Sequence, residues 1–427
     1  MIATKGKHLL LLLSLLLFFL SGCSTTERLE KMAQEGWALH PFLEEHNIPS
    51  YESSYPVYYN TGAEWNERSL ELIEKAQDYI LICTFLGVAH AATEPVWSAL
   101  ARKAAAGVRV YILIDSSSNF QMVPDSHELI QAAYMRLNEL GLMVAEYNSL
   151  SLSNIFFPLH LFDRNHQKYW VVDGELLAVG GVNVNHTSIA WPEGVGNIDT
   201  MVEVHSQGAL EAVVSLFVET WNDYSPQQLN SSDFAVKESL KAEDEKTTLY
   251  LFDHYWPQKR TITPLFDAFS LYAQEELWLI QGYTFITPAL LDRLKSAIAR
   301  GVKVNVMLSE YATQEKYELA SFYGILDLIN AGVNVYMYDS PVGSFLHMKL
   351  IVADGKLVTL GSANYNFRSQ VLSRELNFLF EDERIGQEAL AYIAELKAYC
   401  HLVSAEEAQQ YRTFKGWFNN LLMQVWG

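Results

Sequence analysis

One pattern of residues occurs twice in this chain, as HQKYWVVDGELLAVGGVN at residues 166–183 and as HMKLIVADGKLVTLGSAN at residues 347–364. Each copy begins with His, has Lys two positions and Asp seven positions later, and ends with two small residues followed by Asn. Agreement at this many positions with identical spacing indicates an internal duplication. Duplicated units commonly share one site at their interface, so we expect both copies to contribute to a single centre.

The Asp-Gly pair within each copy predicts a tight β-hairpin, because these two residues favour the backbone of a two-residue turn. With Asp173 and Gly174 as the turn, Lys168 would lie opposite Val179, and His166 opposite Gly181. Side chains alternate between the two faces of a strand, so the polar residues of each copy share one face. An anion could approach the backbone closely there. The residues of this face are His166, Lys168, Gly181 and Asn183 in the first copy, and His347, Lys349, Ser362 and Asn364 in the second.

Similar elements precede both copies. A strand, a helix and a Gly-Val pair lead into a second strand, with predicted strands at 79–85 and 108–114 in the first half, and at 277–280 and 302–308 in the second. This order predicts βαβ units with mostly parallel strands. Together with the hairpins it predicts an α/β fold of two tandem lobes, each a mixed β-sheet flanked by helices, with the active site at the lobe interface.

Composition suggests where the lobes begin and end. The predicted lobes are residues 56–225 and 247–427. The stretch 226–246, which is rich in polar and charged residues (Ser, Gln, Asn, Asp, Glu and Lys), is predicted to link them. Residues 24–55 are polar and mixed, and we expect a tether with some helix.

The first 23 residues have the pattern of a signal peptide, with basic residues followed by an apolar run at 9–20 that is shorter than the about 20 residues of a membrane span. The run ends in LSGC, which resembles the lipobox of bacterial lipoproteins, in which Cys23 would receive lipid. An ordinary signal peptide with a chance cysteine is the alternative. The lipobox predicts a membrane-anchored lipoprotein facing the periplasm, and Ser24 favours the outer membrane.

The chain has 50 acidic and 30 basic residues and a formal net charge of −20. This charge disfavours a nucleic-acid partner, because binding to nucleic acids depends mainly on cationic contacts to phosphate, although a local basic groove would still permit one. No His, Cys and Asp cluster has metal-ligand spacing, and we expect no metal or cofactor. The sequence leaves open whether Cys83 and Cys400 pair, and a free thiol is favoured for Cys83. We expect a monomer.

The two copies resemble the HxKxxxxD motifs of the phospholipase D superfamily, each followed by its GG or GS-x-N tail. Over roughly residues 60–400 the chain is most similar to bacterial cardiolipin synthases. Three further motifs fit that subgroup, namely Arg164-Asn165, the GYTFITP stretch at 282–288, and Arg368-Ser369.

The chain departs from the subgroup in three places. A lipobox replaces its membrane-spanning helices, Asn366 stands where Asp is usual, and Ser373 stands where Asn is frequent. These departures bear on the substrate rather than on the type of reaction.

The resemblance implies a phosphatidyltransferase that acts on phospholipids through a phosphohistidine intermediate. Hydrolysis to phosphatidic acid is the alternative, and a metal-independent nuclease is a third and disfavoured one. Because members of the family most often divide the work in this way, His166 is assigned as the nucleophile and His347 as the acid and base. The residues expected to stabilise the phosphoryl oxygens are Lys168, Lys349, Asn183 and Asn364.

An imidazole that attacks through one nitrogen needs its other nitrogen held by an acceptor. In this superfamily the acceptor is an acid about 25 to 35 residues past each histidine, in the orienting role of the third member of a catalytic triad. Asp199 lies 33 residues past His166, and Glu375 lies 28 residues past His347. We therefore predict that Asp199 contacts His166, that Glu375 contacts His347, and that both acids are buried between the lobes.

Three other features each allow two interpretations. Asp173 and Asp354 belong to the motifs, but at hairpin turns a turn and packing role is favoured over a catalytic one. The apolar run 155–162 could line an acyl-chain entrance or form a core strand. The apolar positions in 414–426 recur at helical spacing, and packing on the second lobe is favoured over membrane contact.

Overall fold

The computed structural model describes residues 38–121, 131–149, 163–192, 194–238, 244–312 and 314–426, together with residues 28, 29, 31, 32, 36 and 240. The predicted leader with Cys23 and the apolar run 155–162 lie outside the described residues. Within the described ranges, none of the helices combines the length and apolar character that a membrane span requires.

Helix α1 (Leu39–Glu45) and strand β1 (Ser50–Ser54) come first, and the first lobe follows. Its strands are β2 (Val57–Thr61), β3 (Tyr79–Thr84), β4 (Arg109–Asp115), β5 (Met143–Tyr147), β6 (Arg164–Asn165), β7 (Tyr169–Val172), β8 (Leu176–Gly180) and β9 (Ile198–Val204). Its helices are α2 (Gly62–Lys75), α3 (Glu94–Ala105), α4 (Tyr134–Glu139), α5 (His186–Ile189) and α6 (Gln207–Tyr224). Seven of these strands form one sheet in the order β2-β9-β8-β7-β3-β4-β5.

The second lobe repeats this plan. Its strands are β10 (Lys246–His254), β11 (Glu276–Gln281), β12 (Lys303–Ser309), β13 (Asn334–Tyr338), β14 (Lys349–Ala353), β15 (Leu357–Gly361), β16 (Ser373–Glu381) and β17 (Cys400–Leu402). Its helices are α7 (Ile262–Tyr272), α8 (Pro288–Ala299), α9 (Glu315–Asn330), α10 (Phe367–Val371), α11 (Glu383–Lys397), α12 (Ala405–Gln410) and α13 (Phe414–Trp426). The sheet order is β1-β10-β16-β15-β14-β11-β12-β13-β17, and β6 pairs with β16.

The two sheets have the same topology and the same directions of pairing. Strands β3, β4 and β5 pair in parallel, as do β11, β12 and β13, and the other pairs within each repeated unit are antiparallel. The expected α/β fold with two tandem lobes and mixed sheets is confirmed. The expectation of mostly parallel strands is wrong, because the hairpin and the strand after it add antiparallel neighbours to each βαβ unit.

The motif hairpins differ from the prediction by one residue. Glu175 N–H does bond to Val172 O at 3.0 Å, as in a two-residue turn, and Asp173 and Gly174 both have positive φ. The ladder nevertheless resumes with Val172 opposite Leu176, so the loop contains three residues, and the second hairpin behaves in the same way. Lys168 therefore lies opposite Gly180 rather than Val179.

Residues of both lobes belong to one shared core, to which both motif hairpins contribute. This core includes Leu177, Val179 and Val202 of the first lobe, and Leu346, Leu360 and Leu376 of the second. The apolar character of these strands on both faces is what burial between two lobes and an outer layer of helices requires.

Part of the predicted tether is folded. Helix α1 buries Leu39, Phe42 and Leu43 against the second lobe, and β1 forms the edge strand next to β10. Helix α1 agrees with the helix expected within 24–55, and its apolar residues have helical spacing. Strand β1 was not expected there, and it pairs with β10 because a sheet edge was open to it. In the predicted linker, Phe234 packs against the ring of Tyr79. Cys83 and Cys400 are free thiols.

Candidate active site

The two motif histidines line one cleft between the lobes. The side chain of His166 is 14% exposed and that of His347 is 12% exposed. Asn183 lines the cleft with them, and its carboxamide oxygen accepts the N–H of Leu86 at 3.1 Å, so the amide NH2 group is its donor toward the cleft. Asn364 is buried nearby in the second lobe, where its N–H donates to Ser369. The duplication therefore forms one shared centre, as the sequence predicts.

Each histidine is held by the acid of the opposite lobe. His166 Nδ1 lies 3.0 Å from Glu375 Oε2, and His347 Nδ1 lies 2.6 Å from Asp199 Oδ2. Both acids are buried between the lobes, as predicted. The predicted pairing is wrong, however, because Asp199 was expected at His166 and Glu375 at His347.

The backbone explains this exchange. His166 N–H donates to Arg374 O at 3.0 Å, and His347 N–H donates to Ile198 O at 2.8 Å. In both cases the acceptor is the residue directly before the acid. Strands β9 and β16 therefore begin by pairing with the histidine segment of the other lobe, which brings each carboxylate to the opposite imidazole.

Burial keeps both imidazoles neutral. Loss of solvent lowers the pKa of His166 to about 4, an effect that Glu375 opposes and Lys168 reinforces. Burial, reinforced by Lys349 and opposed by Asp199, lowers the pKa of His347 to about 4. A neutral imidazole that donates from Nδ1 to a carboxylate has its lone pair on Nε2. The contact with Glu375 thus prepares His166 to act through Nε2. Asp199 favours the same tautomer of His347, whose Nδ1 also lies 2.8 Å from Lys349 Nζ.

Glu375 is the more strongly bound of the two acids. Burial alone would raise its pKa, but His166, Lys168 and Ser362 lower it to about 2. The hydroxyl of Ser362 donates to one carboxylate oxygen, and that of Ser369 donates to the other at 2.7 Å. For Asp199, burial is likewise outweighed, and Lys349 and His347 hold its pKa below the ordinary value. Both acids therefore stay ionised.

The second of the two small residues after each hairpin is Gly181 in the first lobe and Ser362 in the second. Gly181 N–H pairs with Thr200 O, and a Cβ at Gly181 would lie 2.2 Å from a carboxylate oxygen of Asp199. Ser362 holds the same place in the second lobe and uses its hydroxyl to bind Glu375. Both residues thus touch the acid of their own lobe.

The motif lysines are fully buried at the bottom of the site. The ammonium of Lys168 donates to the carbonyl of His166, and that of Lys349 donates to the carbonyl of His347. Lys349 Nζ also lies 3.7 Å from Asp199. Burial is the main cause that lowers the pKa of Lys168 to about 7 and that of Lys349 to about 8. A bound anion would favour the charged form of both.

The motif aspartates lie away from the cleft, at the hairpin tips. Asp173 accepts the backbone N–H groups of residues 77, 78 and 79 at 2.7–3.0 Å, and Asp354 accepts those of residues 274, 275 and 276 at 2.8–2.9 Å. Each carboxylate therefore fixes the start of the neighbouring strand, β3 or β11. The favoured turn and packing role agrees with these contacts.

Asn366 departs from the subgroup pattern and has a structural role. Its side chain accepts the N–H of Ser369 at 2.9 Å and caps α10, as Asn185 caps α5 in the first lobe through Ser188 at 3.1 Å. Asn and Asp are both favoured at this helix position, so the departure preserves the local fold.

Several cleft residues were not assigned from the sequence. The ring of Phe85 stands edge-on to His166 at 5.0 Å, and Phe345 lies 5.3 Å from the ring of His347. Ser369 belongs to the Arg368-Ser369 motif, but the spacing of that motif does not indicate that Ser369 binds Glu375. The remaining residues that line the cleft include Asn185, Thr187, Asn197, Tyr283 and Tyr317. Within the described ranges, no group of three or more potential metal ligands is present.

The phospholipase D-like domain of the cardiolipin synthase family matches residues 69–221 and 271–397, which is more than half of the chain. This chain belongs to that family. The chain is 26% identical to the probable cardiolipin synthase YwiE of Bacillus subtilis over 73% of its own length, and to a cardiolipin synthase of Listeria welshimeri over 77%. The matched regions cover only 59% and 66% of these two family members, less than two thirds of either.

Two solved structures share the fold of this family member. The phosphatidylserine synthase of Haemophilus influenzae matches with a TM-score of 0.69 and 12% identity, over 92% of this chain and 98% of that protein. A polyphosphate kinase from Porphyromonas gingivalis matches with a TM-score of 0.52 and 13% identity, over 83% of this chain and 49% of that protein. At such low identities, the similarity concerns the fold alone.

Proposed function

We propose that this chain is a phosphatidyltransferase of the cardiolipin synthase type, which acts on phospholipid phosphodiesters through a phosphohistidine intermediate. The observation that carries the proposal is a pair of neutral imidazoles in one cleft, each held at Nδ1 by the acid of the other lobe. Two buried lysines lie beside them, and the relatives in the family are cardiolipin synthases.

In the first half-reaction, His166 Nε2 attacks phosphorus, and the bond from phosphorus to the leaving alcohol breaks. The attack needs a neutral imidazole, which burial provides. Glu375 accepts a hydrogen bond from Nδ1–H and stabilises the positive charge that develops on the ring. Lys168 and Lys349, with Asn183, balance the charge on the phosphoryl oxygens.

His347 supplies the proton that the leaving oxygen needs. Burial lowers the pKa of His347 to about 4, so the ring is neutral at pH 7. A bound phosphodiester adds a negative charge close to the ring, and an opposite charge at short range raises the pKa of a histidine. Substrate binding thus favours protonation of the imidazole that has Asp199 as its partner.

In the second half-reaction, the neutral His347 takes a proton from the hydroxyl of a second phospholipid. That oxygen attacks phosphorus, and the phosphorus–nitrogen bond to His166 breaks. If both lipids are phosphatidylglycerol, the products are cardiolipin and glycerol. If water attacks instead, the product is phosphatidic acid, and the chain is a phospholipase D.

Product analysis tests the proposal. The purified protein is incubated with vesicles of phosphatidylglycerol, with and without phosphatidylethanolamine, and the lipids are separated and identified by mass. We expect cardiolipin, and none with the variant His166→Ala. Phosphatidic acid alone would establish the hydrolase alternative, whereas cleavage of nucleic acid without any change in lipid would support the nuclease.

We further propose that Cys23 is lipidated and anchors a monomer to a membrane on the periplasmic side, in the outer membrane. The support is the apolar leader that ends in LSGC. Cells are grown with radioactive fatty acid, and the label on the protein is compared between the natural chain and Cys23→Ser. Equal labelling of both would overturn the assignment, and membrane fractionation tests the location.

A further inference from the structure

Helix α13 has one face packed on the protein and one face of exposed apolar side chains. On the packed side, Asn420 donates to Ala320 O at 2.7 Å, and Gly416 and Met423 are buried against the same lobe. The exposed side carries five large apolar residues at helical spacing, which form one continuous stripe. Their exposed fractions are Phe414 79%, Trp417 44%, Phe418 48%, Leu421 46% and Leu422 37%.

This helix is close to the catalytic cleft. Met423 belongs to a small buried cluster with Phe285, and Tyr283 and Tyr317 pack against that cluster. Both tyrosines also line the cleft that contains the two histidines. Gln424 donates to Ile286 O at 3.2 Å, which ties the helix to the same loop. One layer of side chains therefore separates the inner face of α13 from the cleft.

The dimensions of the helix suit the surface of a bilayer. Its 13 residues span about 20 Å, less than the about 30 Å of a hydrocarbon core. A short helix with one apolar face rich in Trp, Phe and Leu is typical of segments that lie in the plane of the interface.

The charge distribution favours a lipid surface as the occupant. The chain has a net charge of −20, yet no Asp or Glu follows Glu407. Arg412 and Lys415 are paired with Asp327 and Glu315 of α9, so both basic residues beside the stripe have acidic partners. Although the protein as a whole is acidic, α13 itself contains no Asp or Glu, and so the helix presents no negative charge of its own to anionic phospholipids.

We infer that α13 is a lipid-contacting helix that inserts its apolar stripe among phospholipid headgroups and holds the mouth of the catalytic cleft at the bilayer surface. The inference rests on the proposed function for the identity of the lipid. Its binding test needs no turnover, and so the two proposals can fail separately.

Vesicle flotation tests the inference. Full chains carrying Cys23→Ser, which blocks the proposed lipid attachment, are floated with vesicles of phosphatidylethanolamine and phosphatidylglycerol. We expect Trp417→Ser, Phe418→Ser and Leu421→Ser together to weaken vesicle partitioning by about tenfold or more, at low and at high salt. The matched control replaces three apolar residues that are similarly exposed in the first lobe, Val57, Met135 and Met143, with Ser and should bind as the parent does.

The outcomes separate the possible occupants of the stripe. Equal flotation of the triple variant and the parent would overturn the inference. If a second copy covers the stripe, the parent will be a dimer by light scattering and the triple variant a monomer. If a segment of the same chain covers it, the triple variant will unfold at a lower temperature than the control. Either result would also overturn the inference.

A rate comparison then links the helix to the reaction. With vesicle-borne phosphatidylglycerol, the triple variant should turn over about tenfold more slowly than the control. With dihexanoyl phosphatidylglycerol, dissolved as single molecules, both should react at the same rate, because α13 contributes no group to the chemistry. A complete lack of turnover on both substrates by the parent would instead overturn the proposed function.

Discussion

The single-residue features that matter most here are the charge states of the buried groups. Glu375 and Asp199 stay ionised because each has a histidine and a lysine as neighbours, and the histidines stay neutral because they are desolvated. Pairs of titratable groups whose environments drive their pKa values apart are typical of catalytic centres. The proposed nucleophile, His166, can therefore be in its neutral form at pH 7 without an external base.

The exchange of acids between the lobes predicts distinct defects for two matched variants. Glu375→Gln removes the carboxylate at His166, and Asp199→Asn removes the one at His347, so each should lower kcat by about 10³-fold with a smaller change in KM. A nitrophenyl phosphodiester, whose leaving group needs no proton, should restore most of the rate of Asp199→Asn but little of that of Glu375→Gln. The reverse pattern in initial rates would show that the roles of the two histidines are interchanged.

The acid limb of the kcat/KM profile should lie at a lower pH than an ordinary histidine would give. The profile of kcat/KM reports the pKa values of the free enzyme, in which the histidine is desolvated. His166 has a pKa of about 4. Its neutral, nucleophilic form is therefore protonated and lost only as the pH falls through about 4, and not already near 6.5. The pKa values of about 7 for Lys168 and about 8 for Lys349 mean that phosphate binding weakens as the pH rises through that range.

This profile is measured with the nitrophenyl substrate from pH 3.5 to 10. Lys349→Arg serves as the comparison. A guanidinium stays charged over the whole range, so part of the alkaline limb should move to higher pH in this variant. An acid limb near 6.5 in the parent would contradict the desolvation of the histidine.

At the level of secondary-structure elements, each motif hairpin acts as a rigid unit that is fixed at both ends. Its tip is bound to the start of β3 or β11 through a motif aspartate, and its open end carries the motif histidine and lysine. The acid strands β9 and β16 lie beside the hairpins and pair with the other lobe at their first residues. The chemistry thus depends on elements whose own positions are set by backbone hydrogen bonds.

Removing Asp173 should therefore reduce stability without changing the reaction. We expect Asp173→Gly to lower the free energy of unfolding by about 2 kcal/mol, since three N–H groups lose a charged acceptor while glycine keeps the positive φ at no steric cost. Asp354→Gly should cost less, because two of its three N–H partners lie near solvent.

Urea unfolding measures both variants. Asp173→Ala is the matched control for backbone conformation, because it loses the same acceptor and adds the strain of an L side chain at positive φ. The activity per folded molecule should equal that of the parent in all three variants. A fall in kcat without a loss of stability would show that Asp173 has a catalytic role rather than a structural one.

At the level of the whole molecule, the active site exists only when both lobes are docked. Two imidazoles, two acids and two lysines meet there, and each lobe supplies one of each. Each imidazole is oriented by the opposite lobe, so neither half-site is complete alone. The docking is stabilised by a core shared between the two sheets.

A mixing experiment tests whether one chain forms the whole site. His166→Ala and His347→Ala should each abolish turnover, and an equimolar mixture, unfolded together and refolded, should remain inactive because both half-sites come from the same chain. Restored activity in the mixture would show that lobes from two chains combine, and an intact chain treated identically controls for refolding.

Local spacing in the sequence was sufficient for much of this description. The repeated positions of His166 and His347, with Lys168 and Lys349, predicted a duplicated α/β fold with one shared centre, because strand alternation and turn chemistry act over a few residues. The same reasoning placed Asp173 and Asp354 at turns, and the resemblance to a known family pointed to Asp199 and Glu375 as buried acids.

Tertiary structure alone decided which acid serves which histidine. Asp199 and His347 are 148 residues apart in the chain, and Glu375 and His166 are 209 apart, so no local pattern could relate them. The pairing follows from the way the lobes dock, with the first residues of each acid strand bound to the histidine segment of the other lobe. The place of β1 at the edge of the second sheet was decided in the same way, because an open sheet edge accepts whichever strand the docked chain brings to it.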